Sequence, residues 1–337
     1  MKSNPVILGI ETSCDETSAA VLRGGELLSN VISSQIEIHR RFGGVVPEIA
    51  SRNHLTAILP VIGEALEKAG VDKSELDAVG VTYGAGLVGA LLIGVSAAKA
   101  FTYALDIPLY AVNHIEAHIA ANYISTPDLE PPFLAVVASG GHTGVCLVDG
   151  RNSFSMLSST TDDAIGEAFD KVARALGLPY PGGPEIDKRA KLGTPDIAFI
   201  ERKHKTLDLS YSGLKTAVIN YLHNLEQRGE KPNLDNVCAS FQKTAVDMLV
   251  DTAVNIASET GIKTLVAAGG VSANSYLRSS LKARGEALGC AVYFPPMSLC
   301  TDNAAMVAVR ARDMMAAGIE PAPLELNAMS YLKIGKC

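Results

Sequence analysis

VILGIETSCDETSAAVLR, residues 6 to 23, decides how this chain folds. Residues 6 to 10 are an apolar run rich in β-branched residues, ETSCDET is polar and acidic, and SAAVLR resumes the apolar run before Gly24-Gly25. That order predicts a β-hairpin with an acidic tip. PFLAVVASGGHTGVCLVDG, residues 132 to 150, repeats the design about 125 residues later, in plan rather than in identity. Its tip is Ser139, Gly140, Gly141, His142 and Thr143, and its second strand ends at Asp149-Gly150. A third instance, KTLVAAGGVSANSYLRSSL (263 to 281), runs from a strand through Gly269 and Gly270 into a helix capped near Ser272 or Asn274.

Helical patterns fill the intervals. Residues 48 to 70 have apolar residues at helical spacing, interrupted by Pro60 and ended by Gly70. A strand is expected over 77 to 83. DDAIGEAFDKVARALGL (162 to 178) is amphipathic and stops at YPGGP (180 to 184), which reads as a turn. Residues 194 to 216 read as a polar loop and 234 to 261 as one long helix or two. The last helix is expected within 300 to 318, capped by Thr301 or Asp302. Strands alternating with helices indicate α/β layers.

With 337 residues, 47% of them hydrophobic and 19% charged, the chain can build two domains with their own cores. The formal net charge of -7 gives no overall field for nucleic acid, so an RNA contact has to use a local patch or a partner's surface. The lack of Trp and the 5% aromatic content argue against a stacking platform for bases. Arg40, Arg41 and Arg52, and RKHK at 202 to 205, are the basic clusters, and such runs are usually solvated faces. Six cysteines without a CxxC pair suit reduced thiols in the cytoplasm. Glu11, Asp15 and Glu16 interrupt the early apolar run, so no secretory signal is expected. VTYGAGLVGALLIGVSAA (81 to 98) imitates a membrane span, but its four glycines point to a turn feeding a close-packed helix, and no membrane contact is expected.

The strongest chemical signal is HIEAH, His114 to His118. Histidines four apart on a helix lie within about 40° of one another, so both imidazoles can reach one metal ion. Glu116 projects roughly 200° round the axis from His114. It therefore cannot serve as the base of an HExxH peptidase, which follows directly after the first histidine. LYAV (109 to 112) reads as a strand and Asn113 as an N-cap, with Glu116 expected to close a capping box. HxxxH also occurs freely in helices, so spacing alone leaves two unconnected histidines open. Asp302 is either an N-cap or the carboxylate completing a two-histidine site. His39, His54, His204 and His223 lack a companion at ligand spacing and read as surface or structural.

Glycine pairs after a strand let backbone N–H groups approach phosphate oxygens, although one pair alone is commonly just a tight turn. Three such tips in one chain favour a nucleotide site. Asp15 and Glu16 at the first tip could hold a hydrated magnesium ion or handle a proton. Neither GxxxxGK[ST] nor GxGxxG occurs at these tips, which counts against P-loop and Rossmann readings.

ETSCDET, GGVVPEIASRNH, HIEAH, SGGHT, EAFDK, YPGGP, SGLK, GGVSAN and CTDNAAM occur here in that order, and with them the chain resembles the bacterial TsaD (formerly Gcp) family from about residue 6 to 312. Members put threonylcarbamoyl on N6 of adenosine 37 in tRNAs reading ANN codons. The resemblance implies the α/β fold of the actin, Hsp70 and sugar-kinase superfamily. Two RNase H-like domains, residues 1 to 130 and 131 to 337, would face across a nucleotide cleft, with a helical insertion in the second and the last helix packing back on the first. It implies His114, His118 and Asp302 as ligands of one Fe2+, with Zn2+ as an alternative, and Mg2+ accompanying any ATP. Val137, Ala138, Ser139, Gly140 and Gly141 match the loop holding the substrate's phosphate and acyl portion. Asp170, Gly183, Asp187 and Asn274 match adenosine contacts, and Asp15 and Glu16 match acidic residues tied to activity. Ala138 stands where Val-Ser-Gly-Gly sequences have Val. Implied partners are tRNA, threonylcarbamoyl-AMP, TsaB as heterodimer partner through helices at 34 to 58 and 88 to 104, the ATPase TsaE, and TsaC as adenylate supplier.

Three rival readings differ in chemistry. A small-molecule kinase of the same superfamily explains a cleft but not a dihistidine site. A metallopeptidase, the family's older label, fails on the HxExH spacing, and a non-catalytic scaffold like TsaB would lack HIEAH and Asp302.

Overall fold

The computed structural model describes residues 4–200 and 209–335. The RKHK run, His204 and Cys337 lie outside the described residues. In chain order the elements are β1 (Val6–Glu11), β2 (Glu16–Arg23), β3 (Glu26–Ser34), α1 (Ile36–Arg40), α2 (Pro47–Ala69), β4 (Ala78–Gly84), α3 (Val88–Leu105), β5 (Leu109–Asn113), α4 (His114–Ala120) and α5 (Asn122–Ser125). There follow β6 (Phe133–Ala138), β7 (Thr143–Gly150), β8 (Ser153–Ser159), α6 (Ile165–Ala175), α7 (Gly182–Ala190), α8 (Tyr211–Gln227) and α9 (Leu234–Thr260). The last are β9 (Thr264–Ala268), α10 (Ser275–Ala287), β10 (Ala291–Tyr293) and α11 (Ala304–Ala316).

Two compact units divide the chain. The first comprises residues up to Pro131, Val148–Ser155 and the segment from Pro295 onward; the second comprises Pro132–Leu147 and Met156–Phe294. The first unit holds a mixed sheet in the order β3-β2-β1-β4-β5. β1 pairs antiparallel with β2, as the hairpin reading expects, and parallel with β4. Both faces of so central a strand are covered, which is why VILGI is uniformly apolar instead of alternating. β3, which the sequence reading did not anticipate, extends the hairpin as an edge strand. α2 and α3 pack against one another, α2 on β2 and β3 and α3 on β4. α3 is long and apolar enough to cross a membrane, with a mean hydropathy of 1.6, yet part of it is buried against these neighbours.

α11 lies on β1, β2 and β4 of the same sheet. The approach is too close for side chains. A Cβ on Gly9 would stand 2.3 Å from the Ala304 carbonyl oxygen, and one on Gly80 would stand 2.5 Å from Ala311 Cβ. Glycines on the strands and alanines on the helix thus let α11 sit on the sheet backbone and carry the residues before it to a fixed place.

In the second unit the sheet order is β10-β9-β6-β7-β8, with β6 parallel to β9 and β9 parallel to β10. α9, a single helix of 27 residues, packs on α7, α10 and β6, and its apolar face joins Phe169, Tyr211 and Leu277 in one core. Two sequence expectations are corrected here. YPGGP is a turn only as far as Pro181, because α7 starts at Gly182. The polar loop ends by residue 210, because α8 begins at Tyr211, where the Asp162 carboxylate accepts from the N–H groups of Tyr211 (2.8 Å) and Ser212 (3.1 Å). Among the described residues all five cysteines are free thiols.

Candidate active site

In the first unit β5 delivers the chain into α4. Asn113 is extended and its side-chain oxygen accepts from the N–H groups of Ile115 (2.9 Å) and Glu116 (3.4 Å), so it is the N-cap that the sequence predicts. The capping box is not formed. The Glu116 carboxylate accepts instead from Arg310 Nε (2.9 Å) and Nη2 (2.8 Å) and from the Gly335 N–H (3.0 Å). A buried guanidinium outcompetes a backbone N–H for a carboxylate that already points away from the histidines. The helix α11 is likewise capped not by Thr301 or Asp302 but by Asn303, whose side-chain oxygen accepts from the Met306 N–H at 3.2 Å. That leaves Asp302 available.

Asp302 meets both histidines. Its Oδ1 is 3.1 Å from His118 Nε2 and 3.5 Å from His114 Nε2, and the two rings stand edge to face with centroids 4.6 Å apart. One atom from each of the three residues lies within 4.8 Å of the others. The opposite nitrogen of His114 is held from behind. Its Nδ1 is 3.2 Å from Glu11 Oε2 and 3.2 Å from Ser13 Oγ. Glu11 is wholly buried, and its carboxylate also accepts from the Ser13 N–H (2.6 Å) and the Thr82 hydroxyl (2.5 Å). A carboxylate fixing Nδ1 turns Nε2 toward Asp302, the usual arrangement behind a ligating histidine. Burial opposes charge on His114, but Asp302 and Glu11 outweigh it and raise the imidazole pKa to about 9. Asp302 is desolvated too, yet His114 and His118 hold its carboxyl below the usual range.

Two imidazole nitrogens and one carboxylate oxygen are the donor set preferred by Fe2+ with open positions, and by Zn2+. His118 Nδ1 is buried with no hydrogen-bond partner, so the Nε2 face is where this ring makes its polar contact. The residues fit a divalent cation.

Asp15 and Glu16, at the end of the hairpin tip, are both nearly buried. Burial raises both carboxyls, with the charge of Asp302 adding to each, and Glu16 is pushed up to about 8. Ser34 donates to Glu16 Oε1 at 2.8 Å, while Oε2 is buried without a partner. The tip is braced by His54, whose Nδ1 is 2.7 Å from Thr17 Oγ1 and whose Nε2 is 2.8 Å from the Cys14 carbonyl oxygen. His54 is therefore structural, His39 is buried beside it in the same unit, and His223 is on the surface beside Gln227.

In the second unit the β6–β7 tip closes on itself. The Ser139 N–H donates to the His142 carbonyl (2.9 Å) and the His142 N–H to Ser139 Oγ (3.0 Å), leaving Gly140 exposed and Gly141 beside it. Val137 and Ala138 are buried strand residues, so main chain is what they can offer a ligand. The N-terminus of α6 abuts the tip, with the Gly166 N–H donating to the Ser139 carbonyl at 3.2 Å. Asp170 accepts from the Gly182 N–H at 2.7 Å, next to Gly183. Gly183 and Asp187 lie one turn apart on α7, and Asp187 accepts from Ser275 Oγ (2.6 Å), beside Asn274. Asn274 itself caps α10 and donates to Gln242 Oε1 at 2.8 Å. The helix α7 thus links the candidate adenosine contacts. Sequence reasoning missed Glu11, Ser13 and Thr82 as the support of His114. Glu11 stood out only as one carboxylate in an acidic cluster, and its partner lies 103 residues away.

The TsaD family model, described as tRNA N6-adenosine threonylcarbamoyltransferase, matches residues 26–309. A tRNA N6-adenosine threonylcarbamoyltransferase of Clostridium perfringens (strain 13) is 52% identical over 335 residues, covering 98% of either chain. One of Clostridium botulinum (strain 657) is 50% identical over 340 residues, with full coverage of both. Among solved structures, HypF of T. kodakarensis superposes with a TM-score of 0.66 at 15% identity over 94% of this chain, which spans about half (48%) of that protein. The ADPNP-bound activator of the 2-hydroxyisocaproyl-CoA dehydratase from Clostridium difficile gives a TM-score of 0.54 at 14% identity over 93% of this chain and 96% of that one. These two likenesses concern the fold alone, and it is the α/β actin, Hsp70 and sugar-kinase class expected from the sequence.

Proposed function

The chain belongs to the tRNA N6-adenosine threonylcarbamoyltransferase family, and from that premise we propose that it moves threonylcarbamoyl from threonylcarbamoyl-AMP to N6 of adenosine 37 in tRNAs that read ANN codons. The observation that carries the site assignment is the meeting of His114 Nε2, His118 Nε2 and Asp302 Oδ1. We assign these three to one Fe2+, with Zn2+ as the alternative. When bound, the ion supplies a Lewis acid for a carbonyl or carboxylate oxygen of the donor. Glu11 and Ser13 hold the His114 ring in its ligating orientation.

The reaction joins N6 of adenosine to the carbamoyl carbon and breaks that carbon's bond to the phosphate oxygen, whose electron pair leaves with AMP. N6 loses one proton. Asp15 or Glu16 takes it in this reading; with Glu16 raised to about 8, only its ionised minority can accept a proton at neutral pH. Main-chain N–H groups at Gly140 and Gly141 are assigned to the phosphate, whose developing charge such donors would oppose. Asp170, Gly183, Asp187 and Asn274 are assigned to the adenosine portion.

The partners in this reading are TsaB on the faces of α1, α2 and α3, TsaE as ATPase with its Mg2+, and TsaC as source of the adenylate. With tRNA as substrate the enzyme acts in the cytoplasm. A peptidase reading loses Glu116 as its base, because that carboxylate is engaged by Arg310 on the side away from the histidines. The test is to incubate the protein with these partners, threonine, bicarbonate, ATP and an ANN-decoding tRNA, and to look for threonylcarbamoyladenosine by mass spectrometry of digested nucleosides. Wild-type product with loss of at least a hundredfold in His114→Ala and His118→Ala is expected. Product undiminished in both variants would remove the dihistidine site from the mechanism.

A further inference from the structure

Helix α4 carries two of the three candidate ligands in seven residues, too few to hold a helix without tertiary support. All seven are buried, and the residue midway between the histidines is a carboxylate with 1% of its surface exposed. Glu116 is matched by an equally buried cation, Arg310, which reaches one carboxylate oxygen with both Nε and Nη2. The guanidinium is itself completed by the side-chain oxygen of Asn152 through Nη1 and lies over the Phe154 ring at 5.1 Å. Arg310 belongs to α11, and α11 starts two residues after Asp302. The two segments that supply all three candidate ligands are therefore also the two joined by the Glu116–Arg310 pair, on the side of α4 away from the imidazoles.

The C-terminal segment closes the same assembly. The Ala322 N–H donates to the Leu109 carbonyl on β5, and the Met329 N–H to the Tyr83 carbonyl at the end of β4, each at 2.7 Å. Further on, the Lys333 carbonyl accepts from Asn113 Nδ2 at 3.2 Å and the Gly335 N–H donates to Glu116 Oε1 at 3.0 Å. The segment thus reaches the cap residue of α4 and the second oxygen of the clamp. Gly335 has φ +74 and a Cβ there would stand 2.4 Å from the Phe154 carbonyl, so this docking is specific to the residue present.

We infer that Glu116 and Arg310, completed by the strap that reaches them at Gly335, are positioning residues for the metal centre, setting the separation between the histidine pair and Asp302. Both side chains are buried, each with 1% of its surface exposed. Removing such support behind a metal site typically weakens binding tenfold to a hundredfold. The inference rests on the metal reading given above, so its test separates the two.

Co2+ is titrated into the full chain and followed by its visible d–d bands, alongside His114→Ala, the double variant Glu116→Leu/Arg310→Met, and a chain ending at Lys333. Exchanging a buried ion pair for apolar side chains of similar bulk commonly leaves stability intact, so the double variant keeps the test available where a single substitution would strand a charge. Circular dichroism and a thermal melt with chelator present check that each variant folds. The expected result is Co2+ binding by wild type, none by His114→Ala, and affinities about tenfold to a hundredfold weaker with altered bands in the two clamp variants. Wild-type affinity and spectrum in either folded clamp variant overturn the role of the part it lacks; if the double variant does not fold, Glu116→Gln, which keeps the bulk of the side chain, takes its place. Absence of binding by wild type overturns the metal reading itself.

Discussion

Glu16 shows how burial turns one side chain into a stability term that depends on pH. Its carboxyl is raised from an ordinary value of 4.5 to about 8 by desolvation, against the opposing hydrogen bond from Ser34. Between those two values the folded chain keeps a proton that the unfolded chain has released. The contribution of Glu16 is therefore full below about pH 4.5 and falls as pH climbs toward 8. Glu16→Gln cannot ionise and keeps an acceptor for Ser34; any unsatisfied amide it introduces adds an offset that does not change with pH. The variant should gain on wild type across this window by up to about 1.4 kcal/mol per pH unit. Urea unfolding at pH 5, 7 and 9 measures the gap, and a gap that stays constant with pH would show that Glu16 ionises normally. Transfer activity of the same variant should fall if Glu16 accepts the N6 proton.

At the scale of elements, the placement of Asp302 depends on how closely α11 rests on β1 and β4. Gly9→Val would drive a branched side chain into the Ala304 carbonyl, 2.3 Å from its Cβ, and into the Ala308 N–H, 2.8 Å away. A loss of at least about 1–3 kcal/mol in denaturant unfolding is expected from such overpacking, together with weaker metal binding because Ala304 follows Asp302 so closely. Unchanged stability would mean that α11 is not held where the glycines put it. Elements whose signals are local were legible in the sequence: the hairpin at 6 to 23, the strand into Asn113 and α4, and the Asn274 cap of α10 all announce themselves within a few residues. Three of the errors share one physical cause. The start of α8 is capped by Asp162, 49 residues upstream of Tyr211, and Asp170 reaches 12 residues ahead to begin α7 in what reads as a turn. Glu116 satisfies the local pattern of a capping box, yet Arg310, 194 residues on, takes its carboxylate. Of the site itself, the three candidate ligands could be picked out by residue type. The Glu11 support behind His114 could not, since the strand order β1-β4-β5 is what brings Glu11 on β1 near His114, which opens α4 directly after β5.

For the whole molecule, the net charge of -7 is set against a polyanionic substrate, so binding tRNA has to use a local patch or a partner's surface. The first unit presents apolar side chains on neighbouring elements. Leu55 and Leu59 are one turn apart on α2 and 65% and 63% exposed, Tyr103 on α3 is 78% exposed, and Phe42 just beyond α1 is 56% exposed. Large apolar groups repeated at helical spacing on helices that already pack together are what a partner helix would cover. In our reading that partner is TsaB, and the shared tRNA surface belongs to the heterodimer. Leu55→Asp/Leu59→Asp tests it cleanly, because both positions lie outside the core and the substitutions should alter the stability of the isolated chain by no more than about 0.5 kcal/mol each. Two carboxylates in the centre of an apolar interface should weaken the heterodimer at least about a hundredfold, seen as separate species in analytical ultracentrifugation. Co2+ binding should be untouched, since the positions are remote in sequence and contact from the ligands, while threonylcarbamoyladenosine formation falls with the loss of complex. A heterodimer that sediments intact with this variant would move the partner to another face of the first unit.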